Sequence, residues 1–265
     1  MTKLLRKKIS PWQPLIAAAL VSLCQVGNAA AEENPGWQYN LTLYGWYSGL
    51  DTTFKSPGPL GIEDDIQVDA SDILDNLKMA FMGTIEARYN KWSIITDVIY
   101  LSVGDDATTT LTIGPDPGRP VNATADVDVT SWVVNAGVGY EVAQADWGRF
   151  VVVGGVRYLS ADIDSTFGLG GPFPIERSNS EDFWNGIVGF KGHFTVGDKW
   201  FLPYYADIGT GDSDLTWQLF GGIGYRFGWG DIMLGYRHLA FDQSDDNIVQ
   251  DLEMNGPIMG AAFHF

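Results

Sequence analysis

The sequence predicts an all-β fold: a closed antiparallel transmembrane β-barrel of about ten strands, eight if two short runs are not strands. Three observations predict it. Apolar and polar residues alternate with period two along successive segments. Aromatic residues recur eight positions apart on the apolar face of several segments. Short connections alternate with longer ones.

Trp37 to Gly49 sets the pattern for the first strand. One face reads Trp37, Tyr39, Leu41, Leu43, Gly45, Tyr47, and the other Gln38, Asn40, Thr42, Tyr44, Trp46, Ser48. In a barrel the first face meets lipid and the second lines the lumen. The same alternation places strands near 78–89, 92–103, 126–142, 149–161, 182–195, 199–209, 215–227, 231–241 and 256–265. Leu41, Leu43, Val134, Val152 and Leu219 then fall on the lipid face at mid-band.

The short connections are Asn90-Lys91, 143–148, Gly197-Asp198 and Gly228-Trp229-Gly230, with a brief one near 210–214. The long ones span about 50–77, 104–125, 162–181 and 242–255. Short turns on the periplasmic side and long loops outside the cell are the habit of outer-membrane barrels, and an even strand number puts both ends in the periplasm. Asp69–Asn76 is the one stretch with helical character, with Ser71 or Asp72 as the expected cap.

The eight-residue aromatic pairs are Tyr39/Tyr47, Trp92/Tyr100, Trp132/Tyr140, Phe150/Tyr158 and Trp217/Tyr225. Eight tilted residues rise roughly 20 Å, close to the apolar band of the outer membrane. The paired rings are therefore expected to form two interface girdles.

A leader precedes the barrel. Lys3, Arg6, Lys7 and Lys8 are followed by an apolar run, Leu15 to Leu23, and by Ala29-Ala30-Ala31 before Glu32. That order is a secretory signal peptide, so residues 1–31 are expected to be removed and 32–265 to form the barrel. The apolar run is too short to span a bilayer as a helix. The single cysteine, Cys24, leaves with the leader, and Leu23 before it argues against lipidation. The mature chain then has no disulfide and no thiolate metal site. The formal charge of −17 becomes −21 once the four leader cations are gone. A chain this acidic is not a nucleic-acid binder. Export through the periplasm to the bacterial outer membrane follows as the expected destination.

The last strand, Gly256 to Phe265, alternates apolar residues and ends on Phe263-His264-Phe265. It resembles the insertion signal of bacterial outer-membrane barrels, which implies that Phe263 and Phe265 engage the barrel assembly machinery. Two further runs, Asp207 to Phe227 (DIGTGDSDLTWQLFGGIGYRF) and Gly235 to Leu239 (GYRHL), extend the resemblance. Together they resemble small outer-membrane β-barrel proteins of unassigned function. None of these motifs names a chemistry.

No catalytic residues emerge, and the chain is read as a non-enzyme. By phase His193 and His264 point inward near the periplasmic end. His238 faces outward near the outer end, where Asp242 or Ser244 could pair with it, and reads as an interfacial His. Asp242, Ser244, Asp246 and Glu253 loosely match calcium-loop spacing, but Asn247 replaces the needed Gly, so no metal site and no cofactor are assigned. Asp64, Asp65, Asp105, Asp106, Asp245 and Asp246 would lie at the cell surface. There outer-membrane lipid and lipopolysaccharide are the expected partners, through divalent cations.

The lumen carries the most information. Glu86, Arg88, Asp97, Arg157, Lys191, Asp207, Gln218, Arg226 and Arg237 all point inward by phase. Opposite charges in one enclosure are tolerated when paired. Asp97 and Asp207 are expected to pair with Arg157 and Arg237, with Gly137, Gly139, Gly222 and Gly224 leaving room for the long side chains. A barrel near eight strands is filled by its side chains. The leading expectation is a structural or surface-interaction role with a lumen plugged by paired charges. A narrow channel for small solutes is the alternative, and an outer-membrane lipid or peptide hydrolase the third.

Overall fold

Alternation dictates the wall. The computed structural model describes residues 36–55, 63–113, 119–169, 175–243 and 249–265, and the expected leader lies outside them. Twelve strands form one antiparallel sheet: β1 (Gln38–Trp46), β2 (Gly49–Lys55), β3 (Glu63–Val68), β4 (Leu77–Tyr89), β5 (Trp92–Ile113), β6 (Arg119–Ala145), β7 (Gly148–Leu169), β8 (Ile175–Val196), β9 (Trp200–Gly211), β10 (Leu215–Arg226), β11 (Asp231–Asp242) and β12 (Val249–His264). Among the described residues one helix, α1 (Ala70–Asp75), precedes β4. β1 pairs with β4 on one side and with β12 on the other, which closes β1 and β4–β12 into a ten-stranded barrel. Closure leaves no sheet edge around the lower wall.

The phase follows the sequence pattern. Leu43, Val152 and Leu219 are exposed on the outer face, while Ile99, Val133 and Leu239 are buried in the lumen. Outward rings cluster at two heights. Trp92 lies on Tyr140 and Trp200 on Tyr225 near the periplasmic turns, and Tyr100 lies on Trp132 and Tyr158 on Trp184 near the outer end. Between them the exterior is a belt of exposed Leu, Ile and Val. An apolar belt of this kind between aromatic girdles is a lipid-facing surface. The chain is an integral outer-membrane β-barrel.

The turns are as tight as their composition demands. Asn90 adopts a left-handed conformation at φ 54°, and Gly197 does so at φ 68°. Asn and Gly occupy that region at least cost.

Four expectations are corrected at the outer end. The stretches 104–125 and 162–181 are largely strand: β5 and β6 stay in register to Ile113↔Arg119, and β7 and β8 to Phe167↔Ile175. Above the membrane both faces can be exposed, as at the consecutive residues Asp126, Val127 and Asp128, yet a hairpin satisfies its own backbone in water. The last strand begins at Val249, not 256. The first is interrupted at Tyr47-Ser48, opposite Gly256-Pro257, where Pro257 has no N–H to give. Beyond the break β2 keeps the same register on β12, and β3 adds to its other edge. Finally, α1 is capped by neither Ser71 nor Asp72. Asp69 is its N-cap, and the Asp69 carbonyl accepts from the Asp72 and Ile73 amides.

Candidate functional site in the barrel lumen

Inward residues of successive strands stack in layers. The middle layer holds two ion pairs. Arg157 on β7 donates from Nη2 to Asp207 on β9 at 2.5 Å, and Arg237 on β11 donates from Nη2 to Asp97 on β5 at 2.9 Å. The pairs are chords across the lumen. The first passes over β8, where Gly189 makes room: a Cβ there would lie 2.6 Å from that of Asp207.

Neutral groups tie the two pairs together. Gln218 Oε1 accepts from Arg237 at 2.7 Å and from Arg157 at 3.5 Å. Asn135 accepts from Arg157 Nε at 2.7 Å and donates to Asp97 at 3.2 Å. Asp97 Oδ1 also accepts from the Tyr44 and Thr84 hydroxyls, each at 2.7 Å. Thr216 accepts from Arg157 at 2.8 Å and its hydroxyl donates to the Ala240 carbonyl at 2.8 Å. The Arg237 guanidinium lies over the Trp46 ring, 5.0 Å from its centroid. Opposite charges this well hydrogen-bonded compensate much of their desolvation.

Directly above, two residues further along each rising strand, the lumen turns apolar. Ile99, Leu159 and Leu239 follow Asp97, Arg157 and Arg237, and they pack with Trp46, Val133 and Phe241 into one buried cluster. Arg157, Val133, Leu239 and Phe241 are each at most 2% exposed. Below the middle layer lies a smaller apolar cluster, Ile95, Val151 and Val153.

A second charged layer sits at the periplasmic end. Glu86 binds Lys191 at 2.7 Å and Arg149 at 3.3 Å. Arg149 binds Glu141 at 2.8 Å, and Arg88 lies 3.7 Å from the same carboxylate. Arg88 also donates to Gln38.

The inward charges therefore form two separate layers. Arg157, Asp207, Arg237 and Asp97 meet in one, and Glu86, Arg88 and Lys191 in the other. Arg226 joins neither through a carboxylate: its Nη2 is 3.2 Å from His193 Nε2, and its guanidinium lies over Phe201. The glycines named from the sequence also serve differently. Gly224 is covered by the Phe201 ring and Gly139 faces Ser93 and Val151, so neither admits an arginine. Arg149, Glu141, Tyr44 and Asn135 were not singled out from the sequence. All four lie in the inward phase of their strands, and that phase was the available signal.

The remaining candidates sit apart. His238 faces outward and stacks on Trp217 at 4.3 Å, and His264 is 3.0 Å from Asp231. Ser244, Asp245, Asp246 and Asn247 lie outside the described residues, as does any contact of the loose calcium-loop pattern with them. Among the described residues no three His, Cys, Asp or Glu side chains converge as a metal would require. Phe265 closes the wall through the backbone: its N–H donates to Tyr39 and its carbonyl accepts from Tyr39. Phe263 packs against Trp229 on the exterior.

No protein-family model matches the chain, and neither does any curated protein. Solved structures resemble it distantly. The translocator domain of the autotransporter NalP from Neisseria meningitidis is 15% identical, with 96% of this chain and 95% of that one covered and a TM-score of 0.43. The outer membrane protease OmpT from Escherichia coli is 9% identical over 89% and 98%, with a TM-score of 0.47. Ail, the attachment invasion locus protein of Yersinia pestis, solved with sucrose octasulfate, is 13% identical over 87% and 99%, with a TM-score of 0.35. At this distance they say nothing about what the lumen does.

Proposed function

We propose that this chain is a non-conducting, non-enzymatic outer-membrane barrel whose work is done at the cell surface. The stacking of an apolar layer on a bonded charged layer carries the reading. Water would have to cross both, and Arg157 and Leu239 are fully buried at those two heights. Ten strands lie near the size at which side chains fill the interior.

The surface role rests on the two long hairpins. β5–β6 and β7–β8 carry on well past the outer girdle residues Tyr100 and Tyr158. Asp105 and Asp106 are exposed on the first of them. The partner proposed is the lipopolysaccharide phosphate layer, held through divalent cations. Assembly machinery would read the C-terminal strand during insertion.

The test is retention of lipopolysaccharide by the purified barrel. Wild type should hold it in magnesium and release it in EDTA, and a variant with Asp105→Asn and Asp106→Asn should hold less. Equal retention by both proteins would overturn the surface assignment.

A further inference from the structure

The periplasmic end of the lumen holds one cation more than its carboxylates take up. Arg88, Arg149, Lys191 and Arg226 point inward there, against Glu86, Glu141 and Asp231. Glu86 and Glu141 are shared among Arg88, Arg149 and Lys191, and Asp231 is 3.0 Å from His264. Arg226 stands directly opposite Asp231 in the β10–β11 register, yet among the described residues it forms no ion pair. The chain as a whole is strongly acidic, so this local excess runs against the overall charge.

The Arg226 guanidinium meets neutral rings instead. Its Nη2 lies 3.2 Å from His193 Nε2, and its plane lies over Phe201, 5.2 Å from the ring centroid. A guanidinium only donates, so His193 Nε2 accepts, and the imidazole is neutral with its proton on Nδ1. Phe201 also lies edge-on to the His193 ring at 5.8 Å. Arg149 is directly opposite His193 in the β7–β8 register. The charges that act most strongly on the imidazole are those of Arg226, Arg149 and Arg88, with Asp231 against them. Arg149 adds an unmet donor, since its Nη2 is buried and has no hydrogen-bond partner among the described residues. A buried guanidinium N–H left unmet is costly.

From this arrangement we infer that the periplasmic mouth of the lumen binds one small oxyanion of the phosphate or sulfate type. Arg226 offers it a charged fork of N–H donors, His193 offers Nδ1–H, and Arg149 stands on the facing strand. Every group offered is a donor, so the ligand must be an acceptor, and a guanidinium fork suits an oxyanion that presents two oxygens at once. Glu86 and Glu141 keep their own partners, so no existing ion pair is broken. Lipid head groups do not reach the site. Arg226, His193 and Arg149 face the lumen, and the exterior near the same turns is closed by Trp200 on Tyr225. The ligand is therefore a soluble anion of the periplasm.

The experiment is titration of sodium phosphate into the folded barrel in neutral detergent micelles, with the histidine rings isotope-labelled and followed by NMR. The pH is fixed, and sodium chloride holds the ionic strength constant. The chain has three histidines, and His238 on the exterior, stacked on Trp217, is the internal control. His193 should shift saturably in the millimolar range and His238 should not. Sulfate should reproduce the His193 response. Arg226→Gln should weaken it about tenfold or more while the barrel keeps its heat-modified gel shift. If Arg226→Gln does not assemble, the contrast between His193 and His238 in the wild type still decides. A His193 ring that does not respond, a linear drift shared with His238, or an unchanged response in assembled Arg226→Gln would each overturn the assignment.

Discussion

Arg157 on β7 reaches over β8 to Asp207 on β9, Nη2 to Oδ2 at 2.5 Å, with both side chains shut off from solvent. On the strand between, Gly189 lies directly opposite Asp207, where a Cβ would come within 2.6 Å of that of Asp207. The ion pair joins non-neighbouring strands, so it braces the barrel in a way that ladder hydrogen bonds between neighbours do not.

Removing one partner of such a pair leaves the other charge buried and uncompensated. Arg157→Ala should therefore cost about 3–5 kcal/mol, less where water enters to solvate Asp207. Urea unfolding of the vesicle-inserted barrel, followed by loss of the heat-modified gel shift, reads the change. A midpoint equal to wild type would show that the pair contributes nothing.

Arg157 and Asp97 do not touch, yet both bond Asn135, and Gln218 joins Arg157 to the Arg237 that holds Asp97. A double-mutant cycle of Arg157→Ala and Asp97→Ala should show coupling of about 0.5–3 kcal/mol. The cycle of Arg157→Ala with Arg149→Ala should be additive, because Ile95, Val151 and Val153 separate the two layers. The reverse pattern would mean that the layers are assigned wrongly.

Much of this architecture is legible in the sequence. A period of two assigns each residue to lipid or lumen, so Arg157, Asp207, Asp97 and Arg237 fall on one enclosed surface from their phase alone. Which acid meets which base was not readable, since it depends on the stagger between strands. Arg226 illustrates the gap: its phase is right, but its height places it beside His193. The outer hairpins were missed for a different reason. Alternation reports a difference between two environments, and at the consecutive residues Asp126, Val127 and Asp128 all three side chains are exposed.

Close approach across β8 gives a third prediction. In Gly189→Val the new side chain would start 2.2 Å from the Ala206 carbonyl and 2.6 Å from the Asp207 Cβ. Overpacking of this kind should destabilise by about 1–3 kcal/mol and displace Asp207 from Arg157. Gly154→Val, on the outer face where a Cβ meets nothing, should be tolerated. Comparable unfolding midpoints for the two variants would contradict the packing described.

The exterior gives a fourth. Leu219 and Val152 are exposed in the lipid belt, and Arg at either should cost about 2–4 kcal/mol near the midplane. Thr42 faces the polar lumen, opposite Thr84 in the register, so Thr42→Arg should cost less. Folding yield into vesicles reads both, and equal tolerance on the two faces would show that the phase is inverted or the belt misplaced.

Single-channel recording in planar bilayers tests the closed lumen most directly. With the Arg157–Asp207 and Arg237–Asp97 pairs under the Trp46, Leu239 and Phe241 layer, wild type should show only a very low conductance, and Arg157→Ala should raise it. A wild-type barrel that conducts steadily, at the level of an open porin, would contradict the account.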